Sequence, residues 1–224
     1  MGTNMNKVIK FGEDVDGYSI PVLNDREIRA AAGLLFVMMF TSIMTAILKE
    51  EFLLIKYAVT IFLADISIRV FVNPRFSPTL ILGRWIVNNQ VPEYVGAPQK
   101  KFAWIIGVVL ASIMFIHLVI LNARGPIAGI ICLICLIFLF FETSFGICLG
   151  CKFYPFFFKE KVQYCPGEVC DVKSKQEIQK TSKTQWLIVL GFFVFIIIVA
   201  MTFHKTYSKK PYDMFGLTTS AQSH

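Results

Sequence analysis

Residues 141–151 read Phe-Glu-Thr-Ser-Phe-Gly-Ile-Cys-Leu-Gly-Cys. They set one carboxylic acid, Glu142, and a Cys-x-x-Cys pair, Cys148 and Cys151, at the end of a long apolar run. A helix that only anchors a protein in a bilayer needs neither, because an ionisable side chain in hydrocarbon is costly and marks function by default. Paired thiols at such a place suit electron transfer, sulfur transfer or metal binding. A second pair, Cys165 and Cys170, brackets Pro166-Gly167, a turn sequence that would bring its thiols together. Together the four read Cys-x2-Cys-x13-Cys-x4-Cys. That spacing admits three readings. The first is a dithiol relay, with Cys148 and Cys151 as the working pair and Cys165 and Cys170 as the resolving pair. The second is a four-thiolate zinc site. In the third, all four are reduced bystanders.

The remaining candidates are weaker. Cys132 and Cys135 sit in the middle of an apolar run, where cysteine behaves as a small hydrophobe. Asp65 and Arg69 are four residues apart, on one helix face, and are expected to form a structural ion pair. Glu142 has only Phe138, Leu139, Phe145 and Gly146 one turn away, so a partner must come from another helix, with Arg69 or His117 as candidates. We expect Glu142 to take or give a proton when Cys148 or Cys151 changes state; a helix–helix hydrogen bond is the competing role. His117 stands alone and reads as a packing residue. Phosphate-binding glycine loops, hydrolase triad signatures and histidine clusters are missing from the sequence.

The elements that must position these residues are membrane helices. Of 224 residues, 55% are hydrophobic and 17% are charged, against about a quarter charged in a soluble domain. About 20 apolar residues cross a bilayer core, and five spans can be drawn, over 30–48, 52–72, 102–121, 126–151 and 186–203. The chain is therefore expected to be all-α and polytopic, with a four-helix core and an added fifth helix. The expected organisation is an N-terminal arm (1–29), the four-span core (30–154), a basic cysteine loop (155–185), the fifth span and a polar tail (204–224). The arm has no apolar core of a signal peptide. Asn24 is the expected cap of the first helix, with Glu27 three residues on. The second span holds Lys56, which can snorkel from one turn inside its end. Ser77-Pro78 starts a short amphipathic helix lying in the interface, and 91–101 is an extended connection.

Lysine and arginine set the orientation. Fifteen of them fall on the side of the arm, the central loop (Arg75, Arg84, Lys100, Lys101) and the 152–185 loop, against six on the other side. The N-terminus is thus expected in the cytoplasm and the C-terminus outside. The net charge of +7 is explained by anionic lipid at the cytoplasmic face and needs no nucleic acid. In a fourth span that runs through Cys151, the pair lies at the helix C-terminus. Lys152 favours a thiolate there, whereas the helix dipole opposes it. Redox Cys-x-x-Cys pairs more often use a helix N-terminus, so this placement argues against thioredoxin-like chemistry.

One ordered set of residues resembles a known family. It comprises Asn24 with Arg29, then Asp65-x-x-x-Arg69 followed by Pro74 and Ser77-Pro78, then Pro98-Gln99-Lys100-Lys101-Phe102-Ala103. It closes with Glu142-x-x-Phe145-Gly146-x-Cys148-Leu149-Gly150-Cys151-x-x-Tyr154. Over about residues 24–154 the chain resembles the small bacterial four-span membrane proteins grouped as domain of unknown function 4395. The resemblance implies a four-helix membrane core with an interfacial segment and the cysteine pair as hallmark; the chain is expected in a bacterial inner membrane. It implies no activity.

The leading functional expectation is membrane-embedded dithiol–disulfide exchange or handling of a sulfur species, with a thiol oxidoreductase as partner. The alternative is a non-catalytic accessory subunit of a larger membrane complex, its loop folded by zinc. A small transporter ranks third, since no inverted repeat or broken helix is visible.

Overall fold

The computed structural model describes residues 11–158 and 181–213. The chain is almost entirely helical. Helix α1 spans Asp25–Lys49. Asn24 caps it as expected: its side chain accepts from the Arg26 amide and donates to Glu27 Oε1. The core face of α1 recurs every three or four residues, through Ile28, Ala32, Leu35, Met39, Ser42 and Ala46. Glu50, in the left-handed conformation at φ 52°, ends the helix. Helix α2 (Leu53–Ser67) then runs back and continues as a π-helical turn, Ile68–Val72. A short helix, α3 (Pro78–Ile86), follows, capped by Ser77 with Pro78 at its first position. Strand β1 (Val22–Asn24) pairs antiparallel with β2 (Tyr94–Gly96), which ties the N-terminal arm to the start of α4 (Ala97–Phe115). Helix α4 ends in a π-helical turn, Ile116–Ile120. Helix α5 (Pro126–Phe140) ends in another, Phe141–Phe145.

Among the described residues, four helical stretches are long and apolar enough to cross a membrane: Asp25–Lys49, Ala97–Ile120, Pro126–Phe145 and Lys183–Tyr207. By length and composition the chain is a multi-pass membrane protein. The expected second span differs from these four because it carries three charged residues, Lys56, Asp65 and Arg69. All three are buried against neighbouring helices and face no lipid. The connection at 91–101 is shorter than expected, since strand β2 and the first turns of α4 take up most of it.

The fourth span departs most from expectation. It does not run to Cys151. Its helix ends at Gly146, whose φ of +65° puts the backbone in the left-handed region, where a glycine carries no Cβ penalty. The chain turns and a separate helix, α6 (Leu149–Phe158), begins. Hydropathy hid this break because α6 is itself apolar.

Helix α7 (Lys183–Tyr207) carries a capping box of Ser182 and Gln185. It lies along α2 and α3 with few of its residues buried. It is pinned at both ends. Gln185 Nε2 donates to the Arg75 carbonyl at 3.1 Å. At the other end β3 (Ala123–Arg124) pairs with β4 (Tyr212–Asp213), so part of the expected polar tail is ordered. Lys56 does not snorkel. Its buried ammonium donates to Asn122 Oδ1 at 2.7 Å and to the carbonyls of Tyr207 (3.2 Å) and Lys209 (2.6 Å).

Candidate functional site

The site is built where α4, α5, α6 and the start of α1 meet. Cys148 directly precedes α6. Its carbonyl accepts from the amides of Cys151 (3.1 Å) and Lys152 (3.3 Å), which places it at the N-cap position. Its Sγ also lies 3.3 Å from the Cys151 amide, which donates to it. The two sulfurs are bonded as a disulfide, with Cα atoms 5.2 Å apart. The pair therefore stands at the N-terminus of a helix, not at the C-terminus that a continuous fourth span implied. The electrostatic argument reverses with it. The positive end of the α6 dipole and the Cys151 amide both stabilise negative charge on Cys148 sulfur. The objection to thioredoxin-like chemistry falls with the helix that motivated it.

Two glycines make this corner. Gly146 supplies the positive φ, and a Cβ there would also sit 3.0 Å from the Arg29 guanidinium. Gly150 lies within α6 and does not end it. A Cβ on Gly150 would come 2.6 Å from Ala103 Cβ, so its absence lets α6 close onto α4.

Glu142, on the π-helical turn after α5, has a partner that sequence reasoning missed. It is neither Arg69 nor His117. The buried ammonium of Lys100, from the first turn of α4, forms an ion pair with the Glu142 carboxylate. It also lies 2.9 Å from Asp25 Oδ1. Asp25 is as deeply buried as Lys100, its contact is an ion-pair approach rather than an aligned hydrogen bond, and its Oδ2 has no hydrogen-bond partner. Two carboxylates thus face one ammonium. By sequence Lys100 reads as a loop charge, and nothing near it in the chain points to Asp25 or Glu142.

A cavity of about 70 Å³ lies beneath the pair. Its wall is mainly apolar and includes Ala32, Leu35, Phe62 and Trp104. Cys148, Glu142, Arg69 and Cys135 also line it. Cys148 therefore faces the cavity. Cys132 and Cys135 lie in one stripe with Ala128 and Leu139, the buried face of α5.

Asp65 and Arg69 are hydrogen-bonded within one helix at 2.9 Å. Asp65 also accepts from the Ser77 hydroxyl, the Thr79 amide and the Thr79 hydroxyl. The Arg69 guanidinium donates to Thr79 Oγ1 and stacks on Trp104 at 5.3 Å. This network holds the start of α3 against α2. Helix α3 is not free in the interface: Leu80, Ile81 and Arg84 are buried, and Arg84 pairs with Glu27 of α1 at 3.0 Å, while Trp85 and Ile86 face outward.

Cys165 and Cys170 lie outside the described residues. A four-thiolate zinc site would need them together with Cys148 and Cys151. Among the described residues no group of three or more histidine, cysteine or acidic side chains could hold a metal.

No curated protein and no solved structure matches the chain. The family described as a domain of unknown function (DUF4395) matches residues 23–159, which covers α1 to α6, the cysteine pair and the Lys100–Glu142 ion pair. This stretch is more than half of the chain, and the protein belongs to that family.

Proposed function

We infer that this membrane protein carries out dithiol–disulfide exchange, or handles a sulfur species, through Cys148 and Cys151. The observation that carries the reading is the disulfide at the N-terminus of α6, with Cys148 at the N-cap. A helix N-terminus stabilises a thiolate, which is the nucleophile and leaving group of exchange. Glu142 lines the same cavity as Cys148 and is the group in this reading that takes up or returns the proton. Lys100 holds its carboxylate in place through the ion pair. Cys165 and Cys170 are the candidate resolving pair, and a thiol oxidoreductase is the candidate partner.

Orientation follows from charge. The arm, the β2 strand, the cysteine corner and the start of α7 share one end of the bundle. Glu50, Asn122 and the 208–213 segment share the other. Arg84 and Lys100 are buried in ion pairs and offer nothing to lipid. Counting the basic residues that the sequence assigns to the arm and to the 152–185 loop, we place that end in the cytoplasm of a bacterial inner membrane.

The test is intact-protein mass spectrometry with thiol alkylation on protein purified without reductant. The reading requires a Cys148–Cys151 disulfide that mild dithiol reductants open and mild oxidants close. Four free thiols around stoichiometric zinc would sink it and turn attention to an accessory subunit.

A further inference from the structure

We propose that the cavity beneath Cys148 admits a small neutral sulfur nucleophile, hydrogen sulfide in the first instance, which attacks Cys148 and is held there as a persulfide. The proposal rests on the exchange reading and names its substrate class. Three observations carry it. The first is access. Cys148 and Cys151 are only 3% and 5% exposed, and Cys148 lines the cavity, so the cavity is the route by which a small reactant meets its sulfur.

The second is size and polarity. At about 10–15 Å³ per water-sized centre, a cavity of about 70 Å³ holds a few heavy atoms. A mainly apolar wall built from five helices excludes a charged tripeptide thiol or a protein loop, because burying an unpaired charge is costly. Hydrogen sulfide is small and enters uncharged. The third is a proton acceptor at the same wall. Glu142 lines the cavity together with Cys148.

The step balances on groups the protein holds. Hydrogen sulfide gives one proton to Glu142, and the sulfide electron pair forms a bond to Cys148 Sγ. The Cys148–Cys151 bond breaks, and its electron pair leaves on Cys151 as a thiolate. The entering sulfur is oxidised to the sulfane level, and the disulfide is reduced. Cys151 lies in the first turn of α6, where the helix dipole stabilises that thiolate. The proton on Glu142 then passes to Cys151. The net change is one disulfide and one hydrogen sulfide to one persulfide and one thiol.

The experiment uses the full chain in detergent, purified without reductant, with sodium sulfide under anaerobic conditions. Products are alkylated and mapped by peptide mass spectrometry. The expected result is one added sulfur on Cys148 with Cys151 free. Glutathione at equal concentration should react far more slowly with native protein, and the two should be comparable after denaturation. Filling the cavity with Ala32→Leu, and separately with Leu110→Phe, should slow the sulfide step by about tenfold or more. Neither should change reactivity once denatured. The Leu110 variant keeps the test open if Ala32→Leu fails to fold.

Sulfur found on Cys151, glutathione as fast as sulfide in native protein, or filling variants without effect would overturn the cavity route while leaving exchange at the pair intact. Cysteines that neither carry nor form a disulfide would overturn the exchange reading and this proposal together.

Discussion

At the residue scale, Lys100 is the side chain on which the site depends. One buried ammonium sits between Glu142 and Asp25. Removing one partner of a buried pair leaves an uncompensated charge and typically costs about 3–5 kcal/mol. Lys100→Met should therefore destabilise the protein by about that much in a denaturant titration in detergent. Asp25→Asn should cost far less, because Glu142 still meets the ammonium and Oδ2 already lacks a partner. An unchanged midpoint for Lys100→Met would remove the triad from any account of the site. This triad was not legible in the sequence, whereas Asp65–Arg69 was. The latter pair is four residues apart on one helix, so local geometry dictates it. Lys100 and Glu142 lie 42 residues apart on different helices, and nothing in either neighbourhood encodes the meeting. Glu142 could be singled out only as an acid in need of a partner.

At the element scale, the corner between α5 and α6 decides what the cysteines can do. The apolar pattern through 126–158 placed helix there correctly but could not place the break, because hydropathy reports surroundings and not the continuity of hydrogen bonds. Two glycines, Gly146 and Gly150, each offered an end. Only the backbone distinguishes them, since Gly146 has the positive φ and Gly150 the close approach. These separate roles make separable variants. Gly146→Ala forces a methyl into the left-handed region, at about 1–2 kcal/mol, and against Arg29. Arg29→Ala would relieve the contact but not the backbone strain, so the double variant should recover only part of the loss. Gly150→Ala brings a methyl against Ala103. Ala103→Gly frees that space, so the double variant should be more stable than Gly150→Ala alone and should restore disulfide formation, both read by denaturation and alkylation. Additive losses would mean that α6 does not close on α4 at that point.

At the scale of the whole molecule, the family-matched region and α7 are joined chiefly at their ends. The fifth helix was legible as an addition because a hydrophilic stretch precedes it. Its attachment was not, since Lys56 reads as a charge near a span end, and snorkelling is the ordinary fate of such a lysine. The structure instead spends that cation on the C-terminal end of α7, where unpaired carbonyls and the negative end of the dipole favour it. The neighbouring Glu50–Lys210 pair at 2.7 Å is fully exposed and adds little. Lys210 holds the Glu50 carboxyl below its ordinary value of 4.5. Its small contribution is therefore present above that value and fades as pH falls through the lower, folded one. The buried ammonium should dominate. Lys56→Met should speed amide exchange at 205–213 at neutral pH, where Glu50–Lys210 is intact. Exchange in α4 and α6, and the redox state of Cys148 and Cys151, should stay as they were. Faster exchange spreading into the cysteine corner would show that α7 holds the core together. Unchanged exchange at 205–213 would show that the two-stranded β3–β4 pairing alone secures the helix end.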